Sequence, residues 1–208
     1  MNKTKSFSGL AAAPGLAVGP ALLWREVDLS GASSMACETP EQGWETIRQA
    51  IDDVTVEIKA MQKKVLKEAG KDEAAIFAAH LMMVEDIALH DLVKKNLQEI
   101  EYPDIAWQRA INSFAELLAG LPDTTLSARA ADVRDIGFQV LARLLGLSIE
   151  AETKLHEPSV ILARDLSPSL TAKMDRELIL AFCTAEGGPT SHTAILAKAL
   201  GIPAIVAM

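Results

Sequence analysis

The sequence predicts an α/β domain that is interrupted by a bundle of four helices. From about residue 39 to residue 147, apolar residues recur with helical spacing. After about residue 156 the pattern changes to alternating strands and helices, which is typical of an α/β unit. Two strand-like segments in the first 24 residues cannot form a stable sheet alone. We therefore expect them to join the later strands, which makes the bundle an insertion.

The composition narrows the class of protein. Half of the 208 residues are hydrophobic, and 28 acidic against 20 basic residues give a net charge of −8. A nucleic-acid-binding protein normally presents a basic face, so that class is disfavoured. The acidic balance suits a basic protein partner, although solubility is its commoner meaning. Cys37 and Cys183 form neither a disulfide framework nor a metal-ligand spacing, which fits a reducing cytosol, and Cys183 is expected in the core.

The first segment predicts a hairpin-like pair of short strands around Pro14–Gly15. Lys3 and Lys5 precede an apolar stretch that imitates a signal peptide, but turn residues interrupt this stretch at Pro14–Gly15 and Gly19–Pro20. No run approaches the roughly 20 apolar residues of a membrane span. We therefore expect a cytoplasmic protein without membrane insertion. A polar connection, 25–38, follows.

The first helix has the clearest start. Thr39 is a capping residue, Pro40 suits the first helical position, and Gln42 completes a capping box. Seven apolar residues follow in steps of 3 and 4: Trp44, Ile47, Ile51, Val54, Ile58, Met61 and Val65. This unbroken stripe predicts a long helix that packs in a bundle.

Three further helical regions complete the predicted bundle. The second covers about residues 72–100 and has a candidate break near Asp86. The third stops at Gly120–Asp123, and the fourth runs from about Ser127 to just before Gly146. Short joints between such helices are typical of a helical bundle.

The α/β unit is predicted from the last third of the chain. Strand-like runs at 158–163, 178–183 and 203–206 alternate with helical segments. Ser167–Pro168 begins a short helix that ends near Met174. The order is therefore β-α-β-α-β.

The stretch Gly187–Ala194 carries the candidate chemistry, because it places His192 in the first turn of a helix behind a glycine-rich turn. A helix N-terminus favours an anion such as phosphate, and a neutral imidazole is a nucleophile. The pattern therefore suggests a phosphohistidine site. A capped helix with a surface histidine is an equally good interpretation from the residues alone. The supporting residues are Gly187, Gly188, Thr190 and Ser191.

Four stretches resemble a known family. GGPTSHTAILAKALGIPAIV (187–206) resembles the phosphohistidine signature of phosphoenolpyruvate-utilising enzymes. GLAAAPG (9–15), AIFAAHLMMVED (75–86) and RAADVRDIG (129–137) resemble the N-terminal domain of enzyme I, the phosphoenolpyruvate-protein phosphotransferase of the sugar phosphotransferase system. The resemblance implies a swivelling α/β phosphohistidine domain at 1–25 and 150–208. It also implies an inserted helical subdomain at 35–147 that binds the carrier protein HPr.

The resemblance also implies roles at the phosphohistidine site. His192 matches the histidine that carries the phosphoryl group on Nε2, and Thr171 matches the threonine whose hydroxyl meets its ring. From the residues alone, Thr171 is an ordinary helix hydroxyl. Pro189 departs from the basic residue that many enzyme I sequences have at this position. A local cation is therefore missing, and we expect partner choice or phosphohistidine stability to differ as a result.

A docking face for HPr is implied by further matches. Its residues are His80, Met82, Met83, Asp72, Glu73, Leu126 and Arg129. Methionine side chains adapt to partner surfaces, although core methionines and solvated charges are the plain alternative. His90 and His156 have no partner spacing and are expected at the surface, and no metal site is expected.

The implied function is phosphoryl transfer, from phosphoenolpyruvate through His192 to the histidine of HPr. In the family, phosphoenolpyruvate and Mg²⁺ bind a C-terminal barrel that also forms the homodimer, so we expect this chain to be a monomeric fragment that needs no cofactor itself. One alternative is the matching segment of a paralogous multidomain phosphotransfer protein. Another is a non-catalytic helical interaction module, in which His192 would be blocked.

Overall fold

The computed structural model describes residues 5–25, 29, 36–147 and 155–208. Lys3, most of the predicted connection 25–38 and the predicted domain boundaries at 35 and 150 lie outside these residues. Contacts divide the described chain into two compact units. The α/β unit contains the described residues of 1–26 and 153–208 together with Lys64–Ala74. The helical unit contains the described residues of 27–63 and 75–152.

Five helices follow one another between residues 40 and 144. They are α1 (Pro40–Glu68), α2 (Lys71–Val84), α3 (Ile87–Asn96), α4 (Pro103–Ala119) and α5 (Thr124–Leu144). The second predicted region is divided as the sequence suggested, because Asp86 Oδ1 accepts hydrogen bonds from the Ala88 and Leu89 amides, at 2.7 and 3.4 Å, and starts α3. The predicted four-helix bundle therefore has five helices in this part of the chain.

Capping residues set the other helix starts. Thr39 Oγ1 accepts from the Gln42 amide at 3.2 Å, as predicted for the start of α1. The Gln42 side chain reaches back one residue further than a capping box requires, and accepts from the Glu38 amide at 2.8 Å. Helix α5 starts earlier than the predicted Ser127, because the Asp123 carboxylate accepts from the Thr125 and Leu126 amides, at 2.8 and 3.0 Å.

Helices α4 and α5 pack closely in the core of the helical unit. Trp107 is fully buried, and its indole Nε1 donates to the Gly137 carbonyl at 2.9 Å. A Cβ atom at Gly137 would lie 2.4 Å from Ile111 Cγ2. Glycine therefore allows the two helices to approach, and this approach brings the carbonyl within reach of Trp107.

The α/β unit has a five-stranded sheet with the order β1-β5-β4-β3-β2. The strands are β1 (Leu10–Ala13), β2 (Ala21–Leu23), β3 (Ser159–Ala163), β4 (Ile179–Thr184) and β5 (Ala204–Val206). Strands β2 to β5 are parallel in this order, and β1 is antiparallel to β5.

The two N-terminal strands join this sheet but do not pair with each other. They occupy opposite edges, so the predicted hairpin-like start is wrong. The reason lies in the connection after β1, where Gly15 packs on Pro203, before β5, and Gly19 packs on Leu180, in β4. The chain thus runs past the ends of the central strands before it pairs again as β2.

Two helices complete the α/β unit. They are α6 (Pro168–Lys173) and α7 (His192–Leu200), and a short 3₁₀ turn at Arg176–Leu178 precedes β4. The core between helices and sheet contains Ile161, Phe182 and Ala197, which are fully buried. No helix in the described part of the chain combines the length and apolarity needed to cross a membrane.

The end of α1 belongs to the α/β unit by its contacts. Lys64 Nζ donates to the Ala172 carbonyl at 2.9 Å, and Val65 is buried. The sequence assigned this segment to the helical insertion because the apolar stripe of α1 continues through it without a break. The unit boundary therefore differs from the predicted one at Lys64–Ala74.

Replacing Gly137 tests the close packing of α4 and α5. We expect Gly137→Ala to lower the free energy of unfolding by about 1–2 kcal/mol, because overpacking exceeds the gain in helix propensity. Urea unfolding followed by circular dichroism measures this. Gly120→Ala is the matched control, because a Cβ there has only ordinary contacts at 3.5 Å or more. Equal stabilities for the two variants would contradict the packing argument.

Candidate functional site

The turn between β4 and α7 is tied to the end of β3. The Ala185 and Glu186 amides donate to the carbonyls of Ala163 and Arg164, at 3.0 and 2.8 Å. Gly187 then has a φ of +90°, a backbone conformation that disfavours other residues. These constraints fix the position from which α7 begins.

Ser191 is the capping residue of α7. Its Oγ accepts from the Ala194 amide at 3.3 Å, and its own amide donates to the Gly188 carbonyl at 2.9 Å. His192 is the first residue of the helix and is half-buried. Thr190 is exposed on the turn. The structure thus brings together His192 and all four predicted supporting residues.

Thr193 holds the first turn of α7 in place, a role that the sequence did not suggest. Its side chain is buried, and Oγ1 donates to the Leu166 carbonyl at 2.9 Å, across 27 residues of sequence. This bond joins the residue after His192 to the loop that precedes α6. The only sequence signal was its place in the signature, which carried no information about the acceptor.

Thr171 lies on α6, which packs against α7. Its side chain is buried, and Oγ1 donates to the Ser167 carbonyl at 2.9 Å. The hydroxyl hydrogen is therefore engaged within α6, as expected of an ordinary helix threonine. A hydroxyl oxygen also has lone pairs, so it remains able to accept a hydrogen bond.

His80 is placed differently from its predicted role. It was predicted on the docking face, but its side chain is fully buried. The reason is that His80 lies on the face of α2 that points into the core of the unit. On this face the rings of Phe77 and His80 are in contact, with centroids 5.7 Å apart. Nε2 lies 3.5 Å from Asp132 Oδ1, and the other Asp132 oxygen accepts from Arg129 at 2.9 Å. His80 thus has an internal position and offers no surface to a partner.

The other predicted docking residues are accessible. Met82 is 76% exposed and Leu126 is 48% exposed, while Met83 and Arg129 are half-buried. We call these four residues the docking surface; all belong to the helical unit. Asp72 and Glu73 stand in the first turn of α2, in the segment that belongs by contacts to the α/β unit.

The remaining histidines and cysteines are not among the residues predicted for these sites. His90 is half-buried, with Nε2 2.8 Å from the Val84 carbonyl, and His156 is exposed. Cys183 is half-buried in β4, less enclosed than predicted, and burial raises the pKa of its thiol. Within residues 5–25, 36–147 and 155–208, no three His, Cys, Asp or Glu side chains are grouped to hold a metal ion.

Fold and site together define a class of protein. An α/β unit with a histidine at the start of a helix, and with a helical unit encoded between its second and third strands, is the arrangement of a phosphotransfer domain. The family model described as "PEP-utilising enzyme, N-terminal" matches residues 8–129, and that described as "PEP-utilising enzyme, mobile domain" matches residues 155–208. The chain belongs to the phosphoenolpyruvate-utilising enzymes, in the family of enzyme I N-terminal domains.

Several known proteins are similar over nearly the whole chain. A phosphoenolpyruvate-protein phosphotransferase of Bacillus sp. (strain S) is 35% identical over 98% of this chain. A multiphosphoryl transfer protein of Xanthomonas campestris is 38% identical over 96% of it. The solution NMR structure of an Enzyme I protein (nEIt) has a TM-score of 0.74 and 38% identity, covering 96% of this chain and 81% of that one.

A second solved structure, an N-terminal domain of the nitrogen type of Enzyme 1, has a TM-score of 0.67 and 25% identity, and the match covers 95% of this chain and 82% of that one. The curated relatives are much longer than this chain. The chain spans 35% of the Bacillus protein and 24% of the Xanthomonas protein. It therefore corresponds to one part of such proteins.

Removing the Thr193 hydroxyl tests how α7 is held. We expect Thr193→Val to lower the free energy of unfolding by about 1–3 kcal/mol, because the buried Leu166 carbonyl loses its donor. Chemical denaturation measures this, and Thr193→Ser, which keeps the hydroxyl, should lose distinctly less. A valine variant as stable as the parent would show that the bond contributes nothing.

Proposed function

We propose that this chain is the phosphocarrier part of an enzyme I-like phosphotransferase, in which His192 accepts a phosphoryl group and passes it to HPr. The observation that carries the proposal is the position of His192, half-buried as the first residue of α7, behind the capped turn. The α7 N-terminus contributes amide N–H groups and the positive end of its dipole, both of which stabilise a phosphoryl dianion. Phosphoryl transfer depends mostly on such positioning and electrostatics.

Thr171 selects the reactive tautomer of His192 in this proposal. Its hydroxyl hydrogen is directed at the Ser167 carbonyl, so the oxygen meets another group as an acceptor. The packing of α6 on α7 supports a hydrogen bond to it from the Nδ1–H of His192. The proton then resides on Nδ1, and Nε2 presents the lone pair that attacks phosphorus.

The transfer step exchanges one nitrogen–phosphorus bond for another. In the delivery step, an imidazole nitrogen of HPr bonds to the phosphorus held on Nε2 of His192, the donor, and the Nε2–phosphorus bond breaks. The electron pair of that bond returns to the donor imidazole. Because both sides are phosphohistidines, the step is reversible, and the same site takes up and delivers the phosphoryl group.

We assign recognition of HPr to the docking surface. Exposed Met82 and Leu126 supply adaptable apolar contacts, and Arg129 is partly exposed although it also binds Asp132. The net charge of −8 attracts a basic partner. We place the binding of phosphoenolpyruvate and Mg²⁺, and the formation of a homodimer, in a larger protein of which this chain is a part. That assignment rests on the 35% share of the Bacillus relative that the chain spans.

A second candidate is the corresponding segment of a multidomain phosphotransfer protein. The observation in its favour is the 38% identity to the multiphosphoryl transfer protein of Xanthomonas campestris. The chemistry at His192 would be the same. The two candidates differ in which domains adjoin this segment, which the sequence of the complete gene would show.

Intact-mass measurement tests the carrier role. After mixing with phosphorylated HPr, the chain should gain one acid-labile phosphoryl group, and His192→Ala should gain none because the nucleophile is gone. His156→Ala is the matched control, since this exposed histidine should be dispensable. Equal phosphorylation of the His192→Ala and His156→Ala variants would refute the mechanism. Binding of HPr without transfer in the parent would favour a non-catalytic module.

A charge placed on the docking surface tests the partner assignment. We expect Met82→Lys to weaken HPr binding about tenfold, because an ammonium group replaces an exposed apolar contact and repels a basic partner. Isothermal titration calorimetry measures the dissociation constant. Val56→Lys is the control, because Val56 is also a highly exposed apolar residue, 68% exposed, on another helix. Equal losses in the two variants would indicate a nonspecific charge effect and would contradict the assignment.

A further inference from the structure

Helix α6 is too short to be stable on its own. It has six residues, and its chain leaves the helix at Met174 in an extended conformation. The carbonyl groups of a final helical turn have no partner within the helix, so they need donors from elsewhere. Isolated helices of this length are unstable in water, and α6 therefore depends on tertiary contacts.

Lys64 supplies donors at this end of α6. Its Nζ donates to the Ala172 carbonyl at 2.9 Å and lies 3.4 Å from the Met174 carbonyl. A positive charge at a helix C-terminus also opposes the negative end of the helix dipole. Lys64 is 108 residues from Ala172 in sequence and stands on α1, so this bond joins α1 to α6.

The bond between Lys64 and Ala172 is linked to Thr171, and through it to the proposed site at His192, by the backbone of α6. Ala172 directly follows Thr171, and the Thr171 hydroxyl is directed at Ser167, at the opposite end of α6. Thr171 is thereby fixed from both sides, by Ser167 before it and by Lys64 after it. Lys64 and Thr171 also line one cleft, together with Glu68 and Arg176.

We propose that Lys64 is a positioning residue for phosphoryl transfer: it holds α6 so that Thr171 keeps His192 in the Nδ1–H tautomer. This inference rests on the proposed function of His192. It adds to that function a residue of α1, which lies outside the phosphohistidine motif and outside the strands and helices that adjoin the motif. Lys64 touches no reacting atom. It acts through the C-terminal carbonyls of α6, and its loss allows Thr171 to move away from the ring.

Two readouts test this role. Long-range ¹H–¹⁵N spectra of histidine-labelled protein report the tautomer of His192, and His192→Ala identifies its signals. Intact-mass time courses with phosphorylated HPr report the transfer rate. The variants are Lys64→Met, which keeps the apolar stem, and Lys64→Arg, which keeps a cation. Lys63→Met is the matched control, because Lys63 is an exposed lysine of the same helix, as Lys64 is, whereas the bonds to the Ala172 and Met174 carbonyls come from Lys64.

We expect Lys64→Met to shift His192 towards the Nε2–H tautomer and to slow transfer about fivefold, a size set by the loss of one charge at a helix end. Lys64→Arg should restore both properties, Lys63→Met should change neither, and HPr affinity should be the same in all. Parent-like ring signals in Lys64→Met would overturn the proposal. A parent protein that lacks the Nδ1–H tautomer would overturn it as well.

The two readouts separate this proposal from the carrier role. If the parent fails to accept a phosphoryl group from HPr, the proposed function fails, yet the ring spectra still decide whether Lys64 controls the His192 tautomer. If the parent transfers normally and Lys64→Met matches it in both readouts, the carrier role stands and the positioning role is refuted. Thermal unfolding of each variant completes the comparison. A change of tautomer in Lys64→Met is attributed to the position of Thr171 only where the unfolding temperature equals that of the parent.

Discussion

The site depends on the parallel pairing of β3 and β4. Their carboxyl ends lie side by side, and the chain that leaves β4 is bonded back to Ala163 and Arg164, at the end of β3 and just beyond it. The loop after β3 leads to α6, and the turn after β4 leads to α7. The carboxyl ends of these two neighbouring strands therefore fix the starting points of both helices. The bond from Thr193 to Leu166 then joins the second helix to the loop of the first. A histidine and a threonine 21 positions apart thus come to lie on adjacent helices.

Much of this arrangement was predictable because local signals agreed with one another. The stripe from Trp44 to Val65 predicted a long helix, Asp86 marked the break between two helices, and the Gly-Gly turn predicted the start of α7 at His192. Each of these features depends on residues that are close in sequence. The N-terminal strands pair with residues more than 130 positions away in the sequence, so Pro14 and Gly15 suggested a local hairpin that the structure does not form.

The docking residues show a second limit of prediction from the sequence. His80, Met82 and Met83 fall within four positions, and successive residues of a helix are rotated by about 100°. They therefore point in different directions, but the sequence does not say which direction faces the core. The structure decides this by placing Phe77 and His80 inside and Met82 outside. Lys64 was missed for a related reason, since a lysine on the polar side of a long helix resembles any solvated charge.

The position of β1 has a consequence for synthesis of the chain. Its partner β5 consists of residues 204 to 206, so β1 emerges from the ribosome long before the strand with which it pairs. The helical unit includes contacts between neighbours in sequence, α3 with α4 and α4 with α5, and contacts of this kind form fast. We therefore expect the helical unit to fold before the sheet is complete. Until β5 is made, β1 lacks its partner, and an unpaired strand is prone to pair with other chains, so we expect this segment to depend on chaperones during synthesis.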